Sequence, residues 1–188
     1  MSDCPETVLR FWFEQSRPVQ WFRRDPRFDA QISNRFGSQV EAALSGGLQH
    51  WSRTPESGLA LVLLLDQFPR NIWRDQARAF AGDHQALALS LAAEQQGWIA
   101  TEARQPYRQF WLMPRLHSED LNVQNAALPL FERWTDPRTL AVAQRYRDTL
   151  ATHGRFPHRD RALRRSSAQG PALINGGACA DLSDDGAA

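Results

Sequence analysis

The chain of 188 residues contains no lysine: all 22 of its basic residues are arginine. Any recognition of anions therefore falls to guanidinium groups, whose planar fork suits carboxylates and phosphates. Cysteine is almost as scarce. Cys4 and Cys179 lie near opposite ends, with no second thiol or histidine at ligand spacing, which indicates neither a zinc site nor a disulfide framework and fits a reducing compartment. An excess of either charge is missing too. The net charge is +1 and arginines are interspersed with acids along the body of the chain, so no basic stripe marks a nucleic-acid partner. Long apolar runs are absent. The most apolar stretch, Leu59 to Leu65, falls far short of the roughly 18 residues of a membrane span. The opening MSDCPETVLRFWFEQ lacks the basic start and small-residue cleavage site of a signal peptide. The expectation is a soluble, cytoplasmic protein with no membrane and no nucleic-acid partner. No Gly-rich phosphate loop, nucleophile elbow or Cys/His pairing occurs, so no cofactor is implied.

What is present is a succession of helix signals with hardly a strand-like alternation between them. Asp3 or Cys4 precedes Pro5 at the start of a first helix. Asp25-Pro26 opens a second, in which Phe28, Ile32, Phe36 and Val40 recur at spacings of three and four until Gly46-Gly47. Thr54-Pro55 opens a third, apolar nearly all round from Leu59 to Leu65. That places it at the centre, with Leu61, Val62, Leu64 and Leu65 buried. Pro69 is expected to end it before Arg70. Asp83 is expected to cap a fourth helix stopped by Gly97, and Pro106 to Met113 reads as a shorter aromatic segment. Ser118 is expected to start another helix with Glu119 and Asp120 in its first turn and a kink at Pro129. Asp136-Pro137 opens the next, with Gly154 as its stop. The fold class is all-α: antiparallel helical hairpins in a compact bundle or short superhelix. Residues 1–167 form one domain, and residues 168–188 read as a weakly structured tail.

Three polar clusters interrupt this pattern. In LLLDQFPRN, Asp66 follows seven apolar residues and stands four before Arg70, a spacing that places both on one helix face. Asp66, Arg70 and Asn71 either satisfy one another and the helix-end carbonyls, or Arg70 and Asn71 face a pocket with Asp66 orienting the guanidinium. In His117-Ser118-Glu119-Asp120, helix capping explains the last three residues, whereas a histidine before an acidic turn is expected to have raised proton affinity and to serve as acid, base or ligand. In GRFPHR, Arg155, His158 and Arg159 surround one connector, either a packed corner or an anion-binding one. As metal motifs these are weak, since the paired spacing that puts two ligands on one helix face is missing.

Several segments together, VLRFWFE, LLDQFPRNIWR, ARAFAGDHQALALS, LMPRLHSEDLNVQ and HGRFPHRDRAL, resemble the DUF924 family of mostly bacterial proteins of unknown function. The resemblance runs from about Val8 to Ser167. It implies an all-α, tetratricopeptide-like fold of helical hairpins, with no established reaction, substrate or cofactor. Three departures follow GRFPHR: Asp160 stands where the family has asparagine, Arg164 where it has glycine, and SSAQGP where it has a Ser-Thr-Pro-Glu-Glu cap.

Two classes of function remain open. In the first, a concave surface lined by Arg70, Asn71, Arg155 and Arg159 binds an acidic small molecule or a peptide carboxylate. In the second, a hydrolase-like enzyme uses His117 or His158 as general base, with Asp66, Glu119 or Asp120 as orienter and a divalent ion as a further option. Convergence of the three clusters on one cleft discriminates between a site and three separate helix boundaries. Oligomeric state has no signature in the sequence.

Overall fold

The structure, a computed structural model, describes residues 4–166. Every regular element among the described residues is helical: α1 (Pro5–Arg10), α2 (Pro18–Phe22), α3 (Pro26–Leu44), α4 (Pro55–Val62), α5 (Phe68–Ile72), α6 (Asp83–Gln95), α7 (Trp98–Thr101), α8 (Gln105–Leu116), α9 (Leu121–Trp134), α10 (Pro137–His153) and α11 (Asp160–Leu163), with short 3₁₀ and π turns between them. No helix among them is long and apolar enough to cross a membrane. The expectations for the tail and for Cys179 fall outside the described residues.

Proline and a capping oxygen set the main starts. Asp25 accepts from the backbone N–H groups of Arg27 and Phe28, Thr54 from that of Ser57, and Asp136 from those of Arg138 and Thr139. Each cap is followed by a proline, whose missing N–H is one that the first helical turn leaves unused.

The centre is a rod made of α4, a π turn at Leu63–Gln67, and α5. Leu61, Val62, Leu64 and Leu65 are at most 2% exposed, as a helix apolar on every face requires. α1, α3, α6 and α8 pack around the rod, and α8, α9 and α10 then follow one another through short connectors, each against the last. Aromatic side chains fill the junction. Trp12 packs against Phe28, Phe68 and Phe110, with ring centroids 5.4–6.0 Å apart.

Three local expectations need correction. Pro69 does not end the rod before Arg70, because the π turn places the missing N–H in the first turn of α5, where a helix start does not need it. Ser118 is not the cap of α9. Asp120 is, accepting from Asn122 N–H, while Ser118 and Glu119 lie in the connector. Asp83 makes no capping hydrogen bond: Gly82 occupies the cap position, and the Asp83 carboxylate turns back to the end of the rod. α9 continues as helix through Pro129, the position of the expected kink, to Trp134.

Candidate functional site

Asp66 is fully buried in the π turn. An isolated carboxylate there would be untenable, so its oxygens must be met by donors. His117, the residue that ends α8, puts Nδ1 2.7 Å from Asp66 Oδ1, and Gln67 Nε2 donates to Oδ2 at 2.6 Å. Arg70 donates from Nη1 to the Asp66 backbone carbonyl at 2.6 Å and lies 3.2 Å from Oδ1.

The Arg70 guanidinium also faces Asp83, with nitrogen–oxygen distances of 2.8 and 2.9 Å. Asp83 is shared: Arg159 Nη1 donates to its Oδ2 at 3.1 Å, while Arg159 Nη2 donates to the His117 backbone carbonyl at 2.9 Å. Arg159 is 5% exposed and its Nε has no hydrogen-bond acceptor. Its guanidinium lies between the rings of Phe80 and Phe156, at 4.6 and 4.9 Å, and that cation–π contact replaces part of the lost hydration. One network therefore joins the end of the rod, the end of α8, the start of α6 and the corner after α10.

Burial raises the proton affinity of Asp66, but His117 and Arg70 beside it overcome that and hold its carboxyl down to about 2. His117 is pushed below its ordinary value, first by burial and then by Arg70, against the pull of Asp66. The raised proton affinity expected from an acidic turn is thus reversed, because Glu119 and Asp120 point elsewhere and a buried guanidinium stands closer. With Arg70 already compensating Asp66, the consistent state of the pair is a carboxylate and a neutral imidazole. Nδ1 then carries the proton toward Asp66, and Nε2 is left as an acceptor.

Arg70, His117 and Arg159 line one wall of a pocket. Phe80 and Tyr146 give it an apolar side, and Arg24, Arg74 and Arg161 stand around it with Asp75. Its volume is about 110 Å³, comparable with the roughly 150 Å³ cavity in which benzene is accommodated. His158 also borders it, stacked on Phe156 with centroids 5.5 Å apart. His158 is exposed at the surface, but partial burial, then Arg159 and His117, push its pKa down to about 4. Arg24 pairs with Asp75 at 2.9 Å, and Arg74 chelates Asp29. Among the described residues, Arg161 makes no ion pair through its side chain, although Asp75 feels its charge. Among the same residues, five arginines set against Asp29, Asp66, Asp75 and Asp83 leave the pocket with one unit of positive charge.

The other candidates lie outside this lining. Asn71 donates to Asp29 at 2.8 Å, binding α5 to α3. Arg155 donates to Asp160 at 3.0 Å and to the Ser166 carbonyl at 2.8 Å. Glu119 accepts from the Phe156 N–H at 2.7 Å and forms a double hydrogen bond with Arg165. Burial raises its pKa, but these donors bring it below the ordinary range. Asp120 caps α9. Among the described residues no three His, Cys, Asp or Glu side chains could together hold a metal ion. Sequence reasoning missed Asp83, taken as a cap, and Phe80, Arg24, Arg74 and Arg161, which have no local signal in a chain dense in arginine.

No curated protein matches the chain. A solved structure from Agrobacterium tumefaciens, described as that of the protein of unknown function ATU0120, is 34% identical, covers 88% of this chain and 92% of its own, and superposes with a TM-score of 0.82. The model of bacterial proteins of unknown function DUF924 matches residues 8–171, and the chain belongs to that family.

Proposed function

We propose that the pocket binds a small monoanion, a carboxylate-bearing molecule or the carboxylate end of a peptide, with its charge toward Arg70, Arg159 and Arg161 and its apolar part against Phe80 and Tyr146. One observation carries the reading. Arg161 stands beside a pocket whose other arginines are all matched by carboxylates, so the surplus positive charge is that of a site made for one negative charge. A volume of about 110 Å³ suits a compact body, and the open side leaves room for a longer chain to project. Two buried guanidiniums fixed by Asp83 supply a preorganised rather than a mobile cationic wall.

The test is a thermal-shift titration with propionate against its neutral isostere propionamide, on the wild type and on Arg161→Gln. Propionate is expected to raise the melting temperature, with propionamide inert and Arg161→Gln weakening the apparent affinity about fivefold. Equal shifts from the two compounds, or an unchanged affinity in Arg161→Gln, refute the monoanion reading.

A further inference from the structure

The pairing of Asp66 with His117 has no role in holding an anion, and burying it is costly. A buried ion pair that served only the fold could be replaced as a whole by apolar side chains at little loss, whereas removing one partner alone is costly. What the pair does accomplish is to fix one imidazole. Asp66 Oδ1 stands 2.7 Å from Nδ1. Arg159 grips the His117 backbone carbonyl at 2.9 Å. The residue is 3% exposed and lines the pocket. Nε2 has no hydrogen-bond partner among the described residues and is not sealed off from the pocket.

We propose that His117 Nε2 is a general base, oriented by Asp66 as its positioning residue, and that the pocket hydrolyses an ester bond in a small carboxylate-bearing substrate. The inference rests on the anion-binding reading above. A water molecule in the pocket attacks the ester carbonyl carbon while its proton passes to Nε2. The imidazolium so formed is stabilised by the Asp66 carboxylate across Nδ1–H. The carbon–oxygen bond to the alcohol then breaks, and the departing alkoxide takes the proton from Nε2. Water is consumed, and an alcohol and a carboxylic acid are released, the acid ionising to its carboxylate with loss of a proton to solvent; no redox partner is needed. A monoanion fits this chemistry better than a phosphomonoester dianion, because the wall offers one surplus positive charge.

The test is hydrolysis of acetoxyacetate, followed by proton NMR, with methyl acetate as the neutral ester. Wild-type protein is expected to hydrolyse acetoxyacetate saturably and at least tenfold faster than methyl acetate. His117→Gln should lose at least a hundredfold in kcat while still being stabilised by propionate, and Asp66→Asn should lose kcat on the order of a hundredfold with KM unchanged. Nitrogen-15 NMR of the wild type, which needs no variant to fold, should show His117 protonated on Nδ1. An Nε2-protonated ring, or hydrolysis that persists in His117→Gln, overturns the proposal. Propionate stabilisation without any hydrolysis overturns it and leaves the anion site intact. Failure of both propionate and acetoxyacetate to engage the protein removes both.

Discussion

Gly82 lies against the backbone of Leu65: a Cβ at position 82 would clash with the Leu65 carbonyl oxygen and sit 2.9 Å from its carbon. Pro69 offers no N–H to the Leu65 carbonyl four residues earlier, and the chain entering α6 passes close to that carbonyl. Only glycine permits the approach, and the next residue, Asp83, is thereby delivered to Arg70 at 2.8 Å.

Gly82→Ala should accordingly destabilise the protein by about 3 kcal/mol, because the obstacle is backbone and not a flexible side chain. Urea denaturation reads the loss. The same substitution should weaken propionate binding, since Asp83 would be moved off both Arg70 and Arg159. A loss under half a kcal/mol would show that α6 shifts freely.

Asp66→Ala should cost about 3 kcal/mol, leaving the buried donors of His117 Nδ1 and Gln67 Nε2 without their acceptor. Asp66→Leu distinguishes two origins of that loss. If the carboxylate serves the fold, Leu is as damaging as Ala; if it serves the imidazole, Leu recovers part of the stability by filling the rod, yet leaves His117 unoriented. Denaturation midpoints of the two variants side by side decide it.

Acid should destabilise the protein in two stages. His117 and His158 are both held below the ordinary 6.5 when folded. An unfolded chain therefore binds protons that the folded one refuses, and stability falls as pH drops below about 6.5, with the His158 part complete near pH 4. His158→Gln should flatten this upper stage. Asp66 acts lower: its folded value of about 2 against an ordinary 3.8 means about 2 kcal/mol, present above pH 4 and lost as pH falls toward 2. Melting temperatures from pH 7 to 2.5 on the two proteins test the order. A wild-type profile flat down to pH 4 would contradict it. Anion binding should likewise gain from His158 only as pH falls toward 4, since burial and the arginines keep it neutral above that.

Much of the fold was legible because local and tertiary requirements coincide in it. Leu59 to Leu65 can be satisfied only by burial on every side, and Asp25-Pro26 and Asp136-Pro137 cap their helices wherever those helices pack. Asp66, Arg70, His117 and Arg159 stood out as polar groups at the ends of apolar segments. Their neighbours misled for the converse reason. Asp83 has the sequence of a helix cap, yet two arginines from distant segments outcompete the local backbone for its oxygens. Arg155 and Asn71 look as available as Arg159 and Arg70, but their partners Asp160 and Asp29 hold them outside the pocket lining. Gly82 has no local signal at all, because its reason is a carbonyl on another helix.

Arg164 ends α11 in the left-handed region, at φ 53° and ψ 36°. It is the position where the family resemblance leads one to expect glycine, and the geometry gives the reason: the turn carries Arg165 back to Glu119 at 2.7 Å, which in turn accepts the Phe156 N–H and holds the corner bearing His158 and Arg159. An arginine in that conformation is strained by about 1 kcal/mol, and its exposed side chain makes no hydrogen bond that offsets the strain. Arg164→Gly should relieve it. Part of the gain is lost to the greater freedom of glycine in the unfolded chain, so the net increase should be about 0.5 kcal/mol, a rise of roughly 1–2 °C in Tm. Arg165→Ala is the counterpart: it keeps the turn but removes the partner of Glu119, and should lower Tm while leaving the pocket lining untouched. If Arg164→Gly instead lowers Tm, the left-handed turn is held by the arginine side chain, and strain is not what distinguishes this position.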